Sequence, residues 1–199
     1  MRSLYSFIVK PKYDLRYQNT KKIQDVNLIL NTEMSNHNFV NRIGEVVETP
    51  INGTTGIKKG DDVLLHHNVF RRFYDISGKE KNSRSYFDEN QFFAEEDQIY
   101  MYRRKDSWKP LEGYCFVKPI QNSDNLSLAK KERNIGVVKY IDNSLQKNGI
   151  KLNDLVGFTP YSEFEFEIDN EILYRVKASS MCIKYEHKGD KKEYSPSWL

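Results

Sequence analysis

An all-β protein of two homologous units is the fold class this sequence predicts, and three observations predict it. Short apolar runs rich in Val, Ile, Phe and Tyr recur along the 199 residues, broken by Gly, Pro, Asn and Asp, as strands joined by turns require. No long stripe of 3.6-residue period accompanies them, so no long amphipathic helix is expected. The runs also repeat. "FIVKP" at Phe7–Pro11 returns as "CFVKP" at Cys115–Pro119, "IGEVVE" at Ile43–Glu48 as "IGVVKY" at Ile135–Tyr140, and "GIKKGDDVLL" at Gly56–Leu65 as "GIKLNDLVGF" at Gly149–Phe158.

The order of the three motifs is the same in both halves, and their offsets are 108, 92 and 93 residues. An internal repeat of this kind describes one structural unit used twice. In the first unit, residues 4–105, a strand is expected over Phe7–Lys10, a second over Arg42–Glu48 and a third over Asp62–His66, after a turn at "NGTTGIKKGD". A hairpin over Val69–Ala94 with "SGKEKNS" at its tip and a closing strand over Gln98–Arg103 follow. Residues 106–113, "DSWKPLEG", have the Pro and Gly of a connector. The second unit spans 111–187, with "ASSMCIKY" at Ala178–Tyr185 laid on "EEDQIYMY" at Glu95–Tyr102, and 188–199 is a polar tail expected to fray. Five to seven strands at this spacing make a small barrel or sandwich.

The fall of the offset from 108 to 92 places extra residues of the first unit between its first two conserved strands. In that segment, about 19–42, stands "QDVNLILNTEM", where Leu28, Ile29 and Leu30 follow one another inside a polar stretch. Consecutive residues of a strand or helix point different ways, so such a triplet does not serve one face of a core. A strand buried on both sides is the plain alternative.

Charge excludes several functions. The chain has net charge +3, with 17 basic against 14 acidic residues up to Lys105 and 14 against 14 after it. So even a balance is a poor footprint for nucleic acid, and the dense basic spots, Arg71–Arg72 and Arg103–Lys105, read as solvated faces or linkers. No apolar run approaches the ~20 residues that cross a bilayer, and the start "MRSLYSFIVKPKYD" lacks a signal-peptide core, so a cytosolic protein is expected. Cys115 and Cys182 are far apart and read as reduced, buried thiols. His66 and His67 stand side by side, where adjacent strand residues face opposite ways, and His37 and His187 lack ligand spacing to them, so no metal is expected. "EFEFEID" at Glu163–Asp169 alternates and predicts a half-buried strand with a wet acidic side. No nucleophile triad, phosphate loop or dinucleotide motif is present, so neither catalysis nor a cofactor is expected.

The order "SFIVKP", "RIGEVVE", "GIKKGDDVLL", "FAEEDQIYMY" resembles the GroES-like co-chaperonin family. Its signature V-x-x-G-D-x-V-L appears as Ile57, Lys58, Lys59, Gly60, Asp61, Asp62, Val63 and Leu64. Its closing E-x-D-I pattern appears as Glu95, Glu96, Asp97, Gln98 and Ile99, with one additional residue. The resemblance covers nearly the whole chain as a tandem, similar to the two-domain co-chaperonins of plastids, and the composition suits a virus-encoded member. It implies two tandem GroES-like small β-barrels, and a homo-oligomeric ring that caps a ring chaperonin in ATP-dependent folding. It also implies a mobile loop whose hydrophobic tripeptide, here Leu28, Ile29 and Leu30, docks on the chaperonin. The alcohol dehydrogenases share a GroES-like domain, but their cysteine and histidine ligands and nucleotide-binding half have no match here.

Burying three aliphatic side chains yields about 5 to 9 kcal/mol gross, and ordering each loop residue returns about 1 to 2 kcal/mol. One loop therefore binds weakly, while several on a ring bind strongly together. The loop departs from the family in having Val26 and Asn27, not glycines, ahead of Leu28. The shorter loop of the second unit offers only "NLSL" at Asn125–Leu128, so docking is expected from the first unit alone. The other expectation is a structural ring or connector protein of a virus particle, whose long loop clamps neighbouring virion proteins.

Overall fold

Alternating and continuous apolar runs are both met by antiparallel sheets, because a pleated strand can bury one face or two. The computed structural model describes residues 3–17, 20–23, 26–29, 37–121 and 131–188. It divides into two units, Met1–Trp108 and Lys109–Leu199, with the division falling inside the strand Ser107–Pro110, which is counted with the sheet of unit 1 that it joins. Unit 1 contains strands β1 (Phe7–Pro11), β2 (Thr20–Ile23), β3 (Val26–Ile29), β4 (Ile43–Glu48), β5 (Asp62–Leu65), β6 (Phe73–Tyr74), β7 (Glu80–Lys81), β8 (Tyr86–Asp88), β9 (Gln91–Ala94), β10 (Ile99–Arg104) and β11 (Ser107–Pro110). Unit 2 contains β12 (Tyr114–Gln121), β13 (Lys131–Ile141), a short helix α1 (Asn143–Lys147), β14 (Asp154–Phe158), β15 (Phe164–Ile168), β16 (Glu171–Lys177) and β17 (Met181–Lys188).

The sheet of unit 1 runs β11-β10-β5-β4-β1-β9-β8, while β2 pairs with β3 and β6 with β7 as separate ribbons. The sheet of unit 2 runs β15-β16-β12-β13-β14-β17. Among the described residues neither sheet is closed. The central strands are the most apolar ones: Phe7 and Val9 of β1 and Val63, Leu64 and Leu65 of β5 are buried, with Phe70 meeting Phe92 edge to face at 5.3 Å. In unit 2, Cys115, Val117, Val138, Val156, Phe158 and Val176 form one core. As the alternation in "EFEFEID" predicts, β15 buries Phe166 and Ile168 and leaves Glu165 and Glu167 exposed.

Six strands of the first sheet, all but β11, repeat the second sheet in order. Reading β10-β5-β4-β1-β9-β8 against β17-β14-β13-β12-β16-β15 gives the same order, and the registers agree. Val9 lies opposite Val46 and Pro11 opposite Gly44, as Val117 lies opposite Val138 and Pro119 opposite Gly136. The Gly-Asp motif builds the same turn twice. Gly60, at φ 85°, and Asn153, at φ 65°, take the left-handed conformation that Gly and Asn tolerate best. Their N–H groups donate to Val46 O at 2.8 Å and Val138 O at 2.9 Å. Asp61 and Asp154, both buried, accept from the N–H of Lys58 and Lys151 at 2.8 Å. Arg104 Nη2 bonds both Asp61 and Gly56 O, and Lys184 Nζ bonds both Asp154 and Gly149 O.

Register also corrects the alignment of the last strand. Ile99 lies opposite Leu65 and Met181 opposite Phe158, an offset of 82 rather than the 83 of the sequence alignment. Each closing strand then bulges by one residue, Tyr100 and Cys182, before pairing resumes at Met101 and Ile183. Cys182 is thus the extra residue of a bulge and is exposed, whereas Cys115 is buried; burial of both thiols, expected from their apolar neighbours, holds for one. The stretch expected as a connector contains β11, which lies beside β10.

Candidate functional site

A long excursion of unit 1 leaves the sheet after β1 and returns at β4, and its base is firmly built. Tyr13 and Asp14 take positive φ of 61° and 57°, turning the chain away from the sheet. Asn41 is buried, and its Nδ2 donates to Lys12 O at 3.1 Å and Leu15 O at 2.8 Å while its Oδ1 accepts from Ile43 N at 2.9 Å. Tyr17 bridges Val40, both buried, and the Tyr17 hydroxyl accepts from Arg72 N at 2.9 Å. Buried amides and hydroxyls are stable only when so satisfied, which makes this neck rigid.

Arg16 locks the neck to its surroundings. Its Nε donates to Phe70 O at 3.0 Å, Nη2 to Arg71 O at 3.1 Å and Nη1 to Glu80 at 3.1 Å, and its guanidinium lies 5.0 Å from the Phe92 ring. Burial, helped by Arg72 and opposed by Glu80, holds its pKa below the ordinary arginine value. Glu80 belongs to β7, so the neck is tied to the β6–β7 ribbon.

Beyond the neck, β2 and β3 form a two-stranded ribbon in which Thr20 pairs with Ile29, Lys21 with Leu28, Lys22 with Asn27 and Ile23 with Val26. Two residues of the expected docking tripeptide, Leu28 and Ile29, therefore lie on a paired strand and not in open coil. Leu30 lies outside the described residues, as do "NLSL" at Asn125–Leu128 and residues 189–199. In unit 2 the strands that flank the corresponding segment pair as far as Gln121 opposite Lys131.

Sequence reasoning missed a second insertion. Phe92 and Tyr174 both lie opposite the conserved valine of the first strand, an offset of 82. The fall from 93 to 82 leaves unit 1 with 11 further residues between β5 and β9, where the β6–β7 ribbon stands. Its turn is fastened by Asp75, whose Oδ1 accepts from Ser77 N and Lys79 N at 2.9 Å, and it holds Ile76 fully exposed. The sequence carried the signal, because the offset falls from 93 at the Gly-Asp motif to 83 at the closing strands as aligned by residue pattern.

The histidines also differ from expectation. The strand β5 ends at Leu65, and a helical turn follows in which Val69 N bonds His66 O and Arg71 N bonds His67 O, each at 3.1 Å. The His66 and His67 rings stack at 4.2 Å instead of facing apart, and His37 lies 5.0 Å from His67. Among the described residues no group of three His, Cys, Asp or Glu side chains could hold a metal ion. Of the two basic spots, Arg103 and Arg104 are committed to Asp62 and Asp61 at 2.8 and 2.6 Å. No helix among the described residues is long and apolar enough to cross a membrane.

Compared with known proteins, the chain matches no family model and no curated protein.

Proposed function

We propose that this protein is a co-chaperonin built from two tandem GroES-like small β-barrels, in which unit 1 docks on a ring chaperonin through Leu28, Ile29 and Leu30 and unit 2 serves the ring. One observation carries the proposal: six strands keep one order in both units, and the segment between the first two of them, lengthened in unit 1 as the fall in offset from 108 to 92 shows, leaves there from a fastened neck. A rigid root with a projecting apolar segment keeps the entropy cost of docking small, and repetition around a ring multiplies weak contacts. The partner is a ring chaperonin in the cytoplasm, the host's if the chain is viral, and no catalysis is involved.

Mixing the protein with a bacterial ring chaperonin and ATP tests this directly. Co-migration with the ring and slowed ATP hydrolysis are expected, and Ile29→Ser should abolish both, since about 1.5 to 3 kcal/mol is lost at every docked loop. Absence of co-migration, or an unchanged effect of Ile29→Ser, sinks the proposal.

One observation favours a second reading. Leu28 and Ile29 are already strand-paired, as suits an arm that clamps a neighbouring subunit in a virion ring or connector. The mass of the assembled oligomer separates the two, because a family ring presents seven domains and six or twelve chains would disfavour a lid.

A further inference from the structure

Two Asn-Gly pairs stand in the sequence, Asn52–Gly53 in the connection from β4 to β5 and Asn148–Gly149 in the matching connection from β13 to β14. In this dipeptide the asparagine side chain and the next backbone nitrogen meet most freely, because glycine has no Cβ to shield the nitrogen or restrict its torsions. That nitrogen can attack the side-chain carbonyl and close a succinimide ring. Whether it does so depends on an N–H that is not already committed to an acceptor and on a backbone free to turn, and the fold decides both.

The two pairs are held differently. In unit 2, α1 ends at Lys147 and Asn148 caps it, its N–H donating to Leu145 O at 3.1 Å. Gly149 follows at φ 82°, its N–H donates to Gln146 O at 3.0 Å, and its carbonyl accepts from Lys184 Nζ. In unit 1 the chain is fastened just ahead of the pair, Ile51 N donating to Ser3 O at 2.9 Å and Asn52 N to Leu4 O at 3.3 Å. It is fastened again just after, at Thr54, whose Oγ1 donates to Glu96 at 3.1 Å. Between these ties the Gly53 N–H donates to no group among the described residues. All four residues of the two pairs are exposed, so access of water does not separate them.

We propose that Asn52–Gly53 is a self-modification site, where the asparagine passes through a succinimide to aspartate and isoaspartate while Asn148–Gly149 stays intact. The Gly53 nitrogen attacks Asn52 Cγ and forms the N–Cγ bond; the Cγ–Nδ2 bond breaks, and Nδ2 leaves with the Gly53 proton as ammonia. Water then adds to either ring carbonyl and breaks its bond to nitrogen, leaving a carboxylate and, on one branch, an added methylene in the backbone. The sequence of steps is neither an oxidation nor a reduction. One amide becomes one carboxylate, so the formal net charge of +3 falls by one. A Cβ on Gly53 would stand 3.0 Å from Pro50 Cγ, so the turn favours glycine and with it the unshielded nitrogen. None of this rests on chaperonin docking.

The test is ageing of the full chain in mildly alkaline buffer, which raises the fraction of ionised amide, followed by proteolysis and mass spectrometry of the peptides containing Asn52 and Asn148. The Asn52 peptide should gain the mass difference between water and ammonia and split into isomers. It should do so at least about fivefold faster than the Asn148 peptide, the factor by which one intact hydrogen bond holds back its donor. In urea the two peptides should convert at like rates, since the dipeptide is the same and the fold is gone. Asn52→Gln should remove most of the new acidic species that ion exchange resolves from the aged chain. An Asn52 peptide that stays intact in the folded chain, or an Asn148 peptide that converts as fast, overturns the proposal. So do rates in urea that differ as much as in the folded chain, because local sequence would then account for the contrast.

Discussion

Unit 1 and unit 2 share six strands, one strand order, one pair of bulges and one buried aspartate turn, yet differ at the two places where chain was added. The added segments, the β2–β3 arm and the β6–β7 ribbon, emerge between strands whose pairing is the same in both units. The lesson is that the sheet order and the Gly-Asp turn hold the fold, so loops between them can lengthen at small entropic cost.

The largest way to break this comparison is at the shared turn. Asp61→Ala and Asp154→Ala should each destabilise their own unit by about 2 to 4 kcal/mol, because a backbone N–H and a cation lose a buried partner together. Urea unfolding of the two variants measures it, and an effect confined to one would mean the turns are not equivalent.

The paired glycines come next. A Cβ on Gly136 would sit 2.9 Å from Lys118 O, which is backbone, while one on Gly44 would first meet the Leu65 side chain at 2.9 Å. Gly136→Ala should therefore cost about 2 to 3 kcal/mol and Gly44→Ala nearer 1 kcal/mol, since a side-chain tip can move aside. Equal thermal shifts in the two variants would argue against this difference.

A smaller effect follows from His67. Burial first, then His66, Arg42, His37 and Arg71, hold it neutral down to about pH 3, whereas the unfolded chain takes the proton near 6.5. Protonation thus favours the unfolded state, so the stability of unit 1 is full above about pH 6.5 and declines as pH falls. Half-exposure screens the effect to about 1 to 2 kcal/mol. Denaturation at several pH values should give a slope between about 6.5 and 5 that His67→Gln removes; a slope that survives locates it elsewhere.

The smallest effect separates the thiols. Burial, with Asp142 adding to it, pushes the Cys115 thiol up to about 12, and thiolate is the reactive form. Iodoacetamide should label the folded chain at Cys182 only, with no loss of stability, and labelling of Cys115 would contradict its place in the core.

Much of this was legible in residue order. Local pattern alone determined the β class, the repeat, the half-buried strand at Phe164–Ile168 and the excursion that carries Leu28, Ile29 and Leu30, because side-chain period and turn residues act between near neighbours. Tertiary structure decided the rest. The bulges at Tyr100 and Cys182 set the closing-strand offset at 82, the pairing of β2 with β3 placed Leu28 and Ile29 on a strand, and the turn after Leu65 brought His66 and His67 to His37. Each depends on residues distant in sequence meeting across hydrogen bonds and packed rings, and such partners leave no mark on the spacing of their neighbours.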